Sequence, residues 1–114
     1  MWPFSRASGT AADVADVDVR EAHARMRRGA KLVDVRSPAE FRGSHPKGAR
    51  NVPPALIKSD TTGLGRDDEV LVICLSGHRR PRAARNLAGM GFTNVSNVHG
   101  GLLAWKKAGL PLKK

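Results

Sequence analysis

Residues 70–74 read VLVIC, five apolar side chains with no polar residue between them. A strand with one wet face alternates apolar and polar positions. One that is apolar at every position has to be covered on both faces. Among small architectures, that requirement is met by a parallel sheet packed between helices. The rest of the chain agrees. Asp18-Val19-Arg20-Glu21 has the form of a capping box, with Asp18 as cap and Glu21 reaching back. Val19, Ala22, His23 and Met26 follow at helical spacing, and Gly29 is a natural stop. His23, beside that apolar stripe and without a second ligand at metal spacing, reads as a structural histidine. Lys31 to Val35 predicts a short buried strand, and Ser37-Pro38-Ala39-Glu40 restarts a helix with Ser37 as cap and Pro38 in its first turn.

RGSHPKGARNVPP (residues 42–54) is dense in Gly and Pro and predicts a loop with a brief strand at Ala49 to Val52. Ala55 to Ser59 predicts a helical turn, and TTGLGRDDE (61–69) another loop. Pro81 to Met90 predicts a helix stopped by Gly91, and Asn94 to Val98 a last short strand. A closing helix over Gly101 to Ala108 is stopped by Gly109, with Trp105 at core spacing from Leu102 and Ala108. Strands alternating with helices imply an α/β fold, a parallel sheet with helices on both faces. The 114 residues make one domain, residues 13–114, behind a loose tail at residues 1–12.

The formal net charge of +10 raises the local concentration of anions, which admits nucleic acid, a membrane surface or a small anionic substrate. Aromatic residues are 4% and tyrosine is absent, so platforms for stacking bases are lacking and no specific nucleic-acid partner is expected. No apolar run approaches the roughly 20 residues that span a bilayer, and no membrane partner is expected. Pro3 and Arg6 break up the opening MWPFSRASGTAA, which is too short for a signal peptide. One cysteine permits no internal disulfide, and a reducing, cytoplasmic location follows as the expectation.

That cysteine, Cys74, ends the central strand and precedes a loop that opens a helix. In an open parallel sheet, ligands bind beyond the carboxyl ends of the strands. Backbone N–H groups of Leu75, Ser76, Gly77, His78 and Arg79 turning inward would form an anion cradle there. Gly77 permits the tight curl. With Arg79 and Arg80 nearby, such a cradle favours thiolate over thiol, which makes Cys74 a candidate nucleophile. On position and composition alone, a small buried apolar residue at a strand end stands equally well.

Cys74-Leu75-Ser76-Gly77-His78-Arg79 resembles the active loop of the rhodanese family, whose pattern is Cys, two residues, Gly, one residue, Arg. LVDVRSPAEF (32–41) resembles the family's Asp-x-Arg strand and following helix. SHPKGARNVP (44–53) resembles its His-x-x-Gly-Ala loop before Asn-x-Pro, and NVHGGLLAWKKAGLP (97–111) its Gly-Gly turn, Trp helix and Gly-x-Pro end. Together these cover about residues 17 to 112.

The resemblance implies a small rhodanese-like domain with a five-stranded parallel sheet. It also implies sulfane-sulfur transfer through a Cys74 persulfide, from thiosulfate or another persulfide donor to cyanide or to a thiol or protein acceptor. Leu75 to Arg80 would bind substrate. Asp34, Arg36 and His45 would brace the loop from behind, although Asp34 and Arg36 read equally well as an ordinary surface ion pair. His99 precedes the Gly100-Gly101 turn, expected beside the pocket, and takes no chemical role. The resemblance calls for neither metal nor cofactor. Oligomeric state stays open between monomer and weak homodimer.

Arg80 and Pro81 stand where the family commonly has a small hydroxyl residue after the loop arginine. Cys74 to Arg80 therefore also fits Cys, five residues, Arg, the wider loop of tyrosine-phosphatase-like enzymes and arsenate reductases. Gly77 at the fourth position, and Ile73 where those phosphatases usually carry histidine, favour the shorter loop. The rivals to a sulfurtransferase are a persulfide carrier with little thiosulfate activity, that phosphatase-like enzyme, and a basic nucleic-acid-associated domain with a structural cysteine.

Overall fold

The structure, a computed structural model, describes residues 14–53, 63–76 and 82–114. The tail at 1–12, the helical turn expected at 55–59 and the loop residues Gly77 to Pro81 lie outside the described residues.

Val70–Ile73 forms the central strand, and all four of its side chains are buried. In chain order the described elements are β1 (Ala15–Val17), α1 (Val19–Met26), β2 (Lys31–Asp34), α2 (Pro38–Gly43), β3 (His45–Pro46), β4 (Arg50–Asn51), β5 (Val70–Ile73), α3 (Arg82–Gly89), β6 (Val95–Val98), α4 (Gly101–Lys107) and β7 (Leu112–Lys113). Five strands make one sheet in the order β1-β6-β5-β2-β4, with every pairing parallel.

Strand side chains point alternately to opposite faces, so β5 feeds two cores. Leu71 and Ile73 join Leu32, Ala22, Leu102 and Trp105 on the side of α1 and α4. Val70 and Val72 join Val33, Ala84, Leu87 and Phe92 on the side of α3. Helices thus cover both faces, as the unbroken apolar run requires.

The helix starts follow local chemistry. At α1 the Asp18 carboxylate accepts from the Glu21 amide at 2.8 Å. Glu21 does not complete the expected box. Its carboxylate accepts from Arg25 Nε at 2.7 Å, because a charge-assisted bond one turn on is stronger than one to a neutral amide. The reciprocal box forms instead at α2, where Ser37 Oγ accepts from the Glu40 amide and Glu40 accepts from the Ser37 amide, each at 3.2 Å. The Ser37 hydroxyl and amide hold the Glu40 carboxyl below its ordinary range.

Three elements were not anticipated. β1 is an edge strand of three residues with only Val17 buried, too short to carry a pattern. β3 and β7 pair antiparallel as a separate two-stranded ribbon. Trp105 anchors that ribbon: it is fully buried, and its Nε1 donates to Pro111 O at 2.8 Å. The same carbonyl accepts from the Lys47 amide at 3.0 Å. His23 packs edge-on against Trp105 with ring centres 5.7 Å apart, the structural role its spacing predicts.

Candidate active site

Cys74 follows the last residue of β5 directly, at the carboxyl edge of the sheet's middle strand. It is partly exposed and packs against the α3-side core. Neighbouring elements claim the main-chain carbonyls around it one by one. Ile73 O accepts from the Val35 amide at 3.0 Å, Cys74 O from the Leu102 amide at 2.8 Å, and Leu75 O from the Leu103 amide at 3.1 Å. The described peptide bonds are all trans, so each N–H points opposite to the carbonyl of its own peptide plane. With the carbonyls of Cys74 and Leu75 drawn onto α4, the amides of Leu75 and Ser76 face away from that helix.

Gly101, which follows Gly100 at the helix cap, makes this contact possible. Gly100 and Gly101 have φ of +82° and +59°, a conformation open to glycine at little cost. A Cβ on Gly101 would fall 2.5 Å from Cys74 O and 2.6 Å from Leu75 O, both main-chain atoms. The Gly100-Gly101 turn therefore does lie against the Cys74 loop. The role of the Leu102 and Leu103 amides was not foreseen; the available signal was the pair of glycines opening a helix. His99 is exposed, and its amide donates to Val17 O at 2.8 Å.

Asp34 and Arg36 stand on the other flank. Asp34 is the register partner of Ile73, the residue before the cysteine. The two side chains form a buried pair with relative exposures of 0% and 7%, not the surface ion pair considered from sequence. Arg36 Nη2 donates to Asp34 Oδ2 at 2.8 Å, and Arg36 Nε to Oδ1 at 3.0 Å. The Arg36 amide donates to Oδ1 at 2.9 Å, and Nη2 also reaches Ser44 O at 2.7 Å. From β4, Asn51 Nδ2 donates to Asp34 O and Arg36 O, each at 2.9 Å. These bonds fix the turn after β2, and that turn carries the Val35 amide that holds Ile73 O. Asn51, within the NVP stretch, thus braces that turn through its side-chain amide.

His45 lies farther along the same segment. Its ring stacks on Phe41 with centres 3.6 Å apart, and Nδ1–H donates to Phe41 O at 2.6 Å. Of the loop residues expected to bind substrate, Leu75 is exposed and Ser76 partly exposed, while Gly77, His78, Arg79 and Arg80 lie outside the described residues. Among the described residues, no group of three or more His, Cys, Asp or Glu could hold a metal ion, and no helix is long and apolar enough to cross a membrane.

Fold and site together define a class: an α/β domain whose all-parallel central sheet presents a single cysteine at the carboxyl end of its middle strand. Residues 18–108 match the family model of the rhodanese-like domain, and the chain belongs to that family. It is similar to thiosulfate sulfurtransferase 16 of Arabidopsis thaliana, 37% identical over 109 residues that cover 85% of this chain and 91% of that protein. It also resembles the senescence-associated protein DIN1 of Raphanus sativus, at 33% identity over 86% of this chain but only 60% of the longer relative. The crystal structure of a rhodanese-related protein from Thermoplasma volcanium superposes with a TM-score of 0.77 at 25% identity, covering 87% of this chain and 97% of that one.

Proposed function

We propose that this chain is a sulfurtransferase that moves sulfane sulfur from thiosulfate to a thiol acceptor through a persulfide on Cys74. The Cys74 thiolate attacks the outer sulfur of thiosulfate. A Cys74 Sγ–S bond forms, the S–S bond of thiosulfate breaks, and sulfite leaves with the electron pair. The terminal sulfur of the persulfide carries negative charge, which main-chain amides aimed at it stabilise in the manner of an oxyanion hole. An acceptor thiolate, or cyanide in an assay, then takes that sulfur and restores the Cys74 thiolate, so the two half-reactions run as ping-pong.

The observation that most supports this reading is the capture of three successive carbonyls, Ile73 O by the Val35 amide and Cys74 O and Leu75 O by α4. It leaves the amides of Leu75 and Ser76 turned from α4, beside a cysteine that is partly exposed rather than sealed in the core. The name of the Arabidopsis relative agrees with this chemistry.

Intact mass tests it. After thiosulfate treatment the protein gains one sulfur, the gain disappears in Cys74→Ser, and cyanide releases it as thiocyanate. A wild-type protein that gains no sulfur from thiosulfate is not this enzyme.

A further inference from the structure

Acidic and basic side chains are divided unevenly along the chain. All ten Asp and Glu residues precede Val70, whereas residues 70–114 carry eight Lys and Arg and no carboxylate side chain. The segment that holds Cys74, α3 and α4 therefore carries +8 of the formal +10. The ion pairs seen between described side chains join Arg25, Arg28, Lys31 and Arg36 to Glu21, Glu69, Asp68 and Asp34, all in the first part of the chain.

Large apolar side chains are exposed in the same basic segment. Leu75 and Leu103 have relative exposures of 46% and 55%. Their main chains touch through the bond from the Leu103 amide to Leu75 O. Leu103, Lys106 and Lys107 fall at spacings of three and four on one face of α4, and all are exposed, while Gly101, Leu102 and Trp105 are buried on the other. Among the described residues, Lys106 and Lys107 enter no ion pair.

A small dianion explains the charge but not the leucines, since thiosulfate gains nothing from apolar surface. A nucleic acid would use the charge, yet leucines offer no face on which a base can stack. A protein segment with carboxylates around an apolar residue uses both. Building on the sulfur-transfer reading, we propose that Leu75, Leu103, Lys106 and Lys107 form the docking surface for an acidic protein acceptor, whose cysteine is brought to Cys74 with an apolar neighbour seated on the two leucines.

The test uses disulfide exchange, which requires only the Cys74 thiol. Short peptides with one cysteine beside a leucine, flanked by glutamates or by lysines, are presented as mixed disulfides with thionitrobenzoate. The Cys74 thiolate attacks the peptide sulfur, forms the Cys74–peptide disulfide and releases coloured thionitrobenzoate. The glutamate peptide reacts about tenfold or more faster than the lysine peptide at low salt, and the ratio shrinks as salt rises. Lys106→Glu with Lys107→Glu lowers that ratio several-fold. Leu103→Ser removes the preference for a leucine-containing peptide over its serine counterpart.

Wild-type ratios in these variants, no exchange with either peptide, or stronger competition by polyuridylate than by the glutamate peptide would overturn the docking surface. A protein that shows the peptide preferences but takes no sulfur from thiosulfate keeps the docking surface and loses the sulfur-transfer reading instead.

Discussion

The Cα of Gly101 lies so close to the Cys74 carbonyl that an added Cβ would stand 2.5 Å from its oxygen. The first turn of α4 is thereby pressed onto the main chain that carries Cys74, and its amides set the direction of the next two peptide planes.

Gly101→Ala must push the helix and the loop apart, because all three colliding atoms, Cys74 O, Leu75 O and Leu75 C, belong to main chain. The expected loss of turnover is about 10- to 100-fold, the scale that follows when reacting groups are displaced by an ångström. Gly109→Ala is the control. Gly109 has φ of +72°, so alanine is strained there by a comparable ~1–2 kcal/mol, but nothing lies within 4 Å of its added Cβ. Thermal melting and turnover measured on both variants should show a loss of stability in each, larger for Gly101→Ala, and a loss of activity only for Gly101→Ala. Equal activities would mean that the contact does not position the loop.

Asp34 and Arg36 are buried and bound to each other through several hydrogen bonds. Removing either partner leaves the other charge uncompensated in the interior, at a cost of about 3–5 kcal/mol. Asp34→Leu and Arg36→Met should each lower the unfolding free energy, measured by urea titration, by that much. The double replacement should cost clearly less than the two single changes added together. Strict additivity would show that the pair carries no coupling.

Much of this fold can be read from residue pattern. VLVIC requires cover on both faces, and the cores built on Leu71 with Ile73 and on Val70 with Val72 provide it. Ser37 with Pro38, and the glycine stops at Gly91 and Gly109, mark helix ends by local conformational preference. β1 escaped because one buried valine in three residues makes no period. The β3–β7 ribbon escaped because its partners are 67 or so residues apart, and pairing over that distance leaves no trace in either short segment. The position of Cys74 at the strand end was legible. That α4 grips the loop was not, since a close approach of two main chains shows in sequence only as two glycines.

Asp68 accepts from Lys31 Nζ and from the Gly65 amide, each at 2.7 Å. The bond to Lys31, then that to Gly65, holds its carboxyl below the ordinary aspartate range. A carboxyl with a lowered folded-state pKa adds stability that is fully present above the unfolded value, about 3.9, and is lost as pH falls through the folded one. Asp68→Asn should therefore melt below wild type near neutral pH, with the gap closing as acidification carries the pH below the unfolded aspartate value and through the lower folded one. A gap that persists unchanged into acid would assign the loss to something other than the ionised carboxylate.

The final prediction concerns which arginine closes the active loop. A loop of Cys, two residues, Gly, one residue, Arg ends on Arg79, whereas the wider phosphate-binding spacing ends on Arg80. A guanidinium that meets a dianion through charge-assisted hydrogen bonds contributes about 1.5–3 kcal/mol, or about tenfold or more in binding. Arg79→Ala should raise the apparent KM for thiosulfate by that factor, and Arg80→Ala by much less, because a neighbour outside the loop adds only screened long-range attraction. Steady-state kinetics on the two variants, with Lys substitutions at both positions to keep the charge and remove the paired donors, checks the assignment. A larger KM effect at Arg80 would move the closing residue one position along and restore the wider loop as the better description of the site.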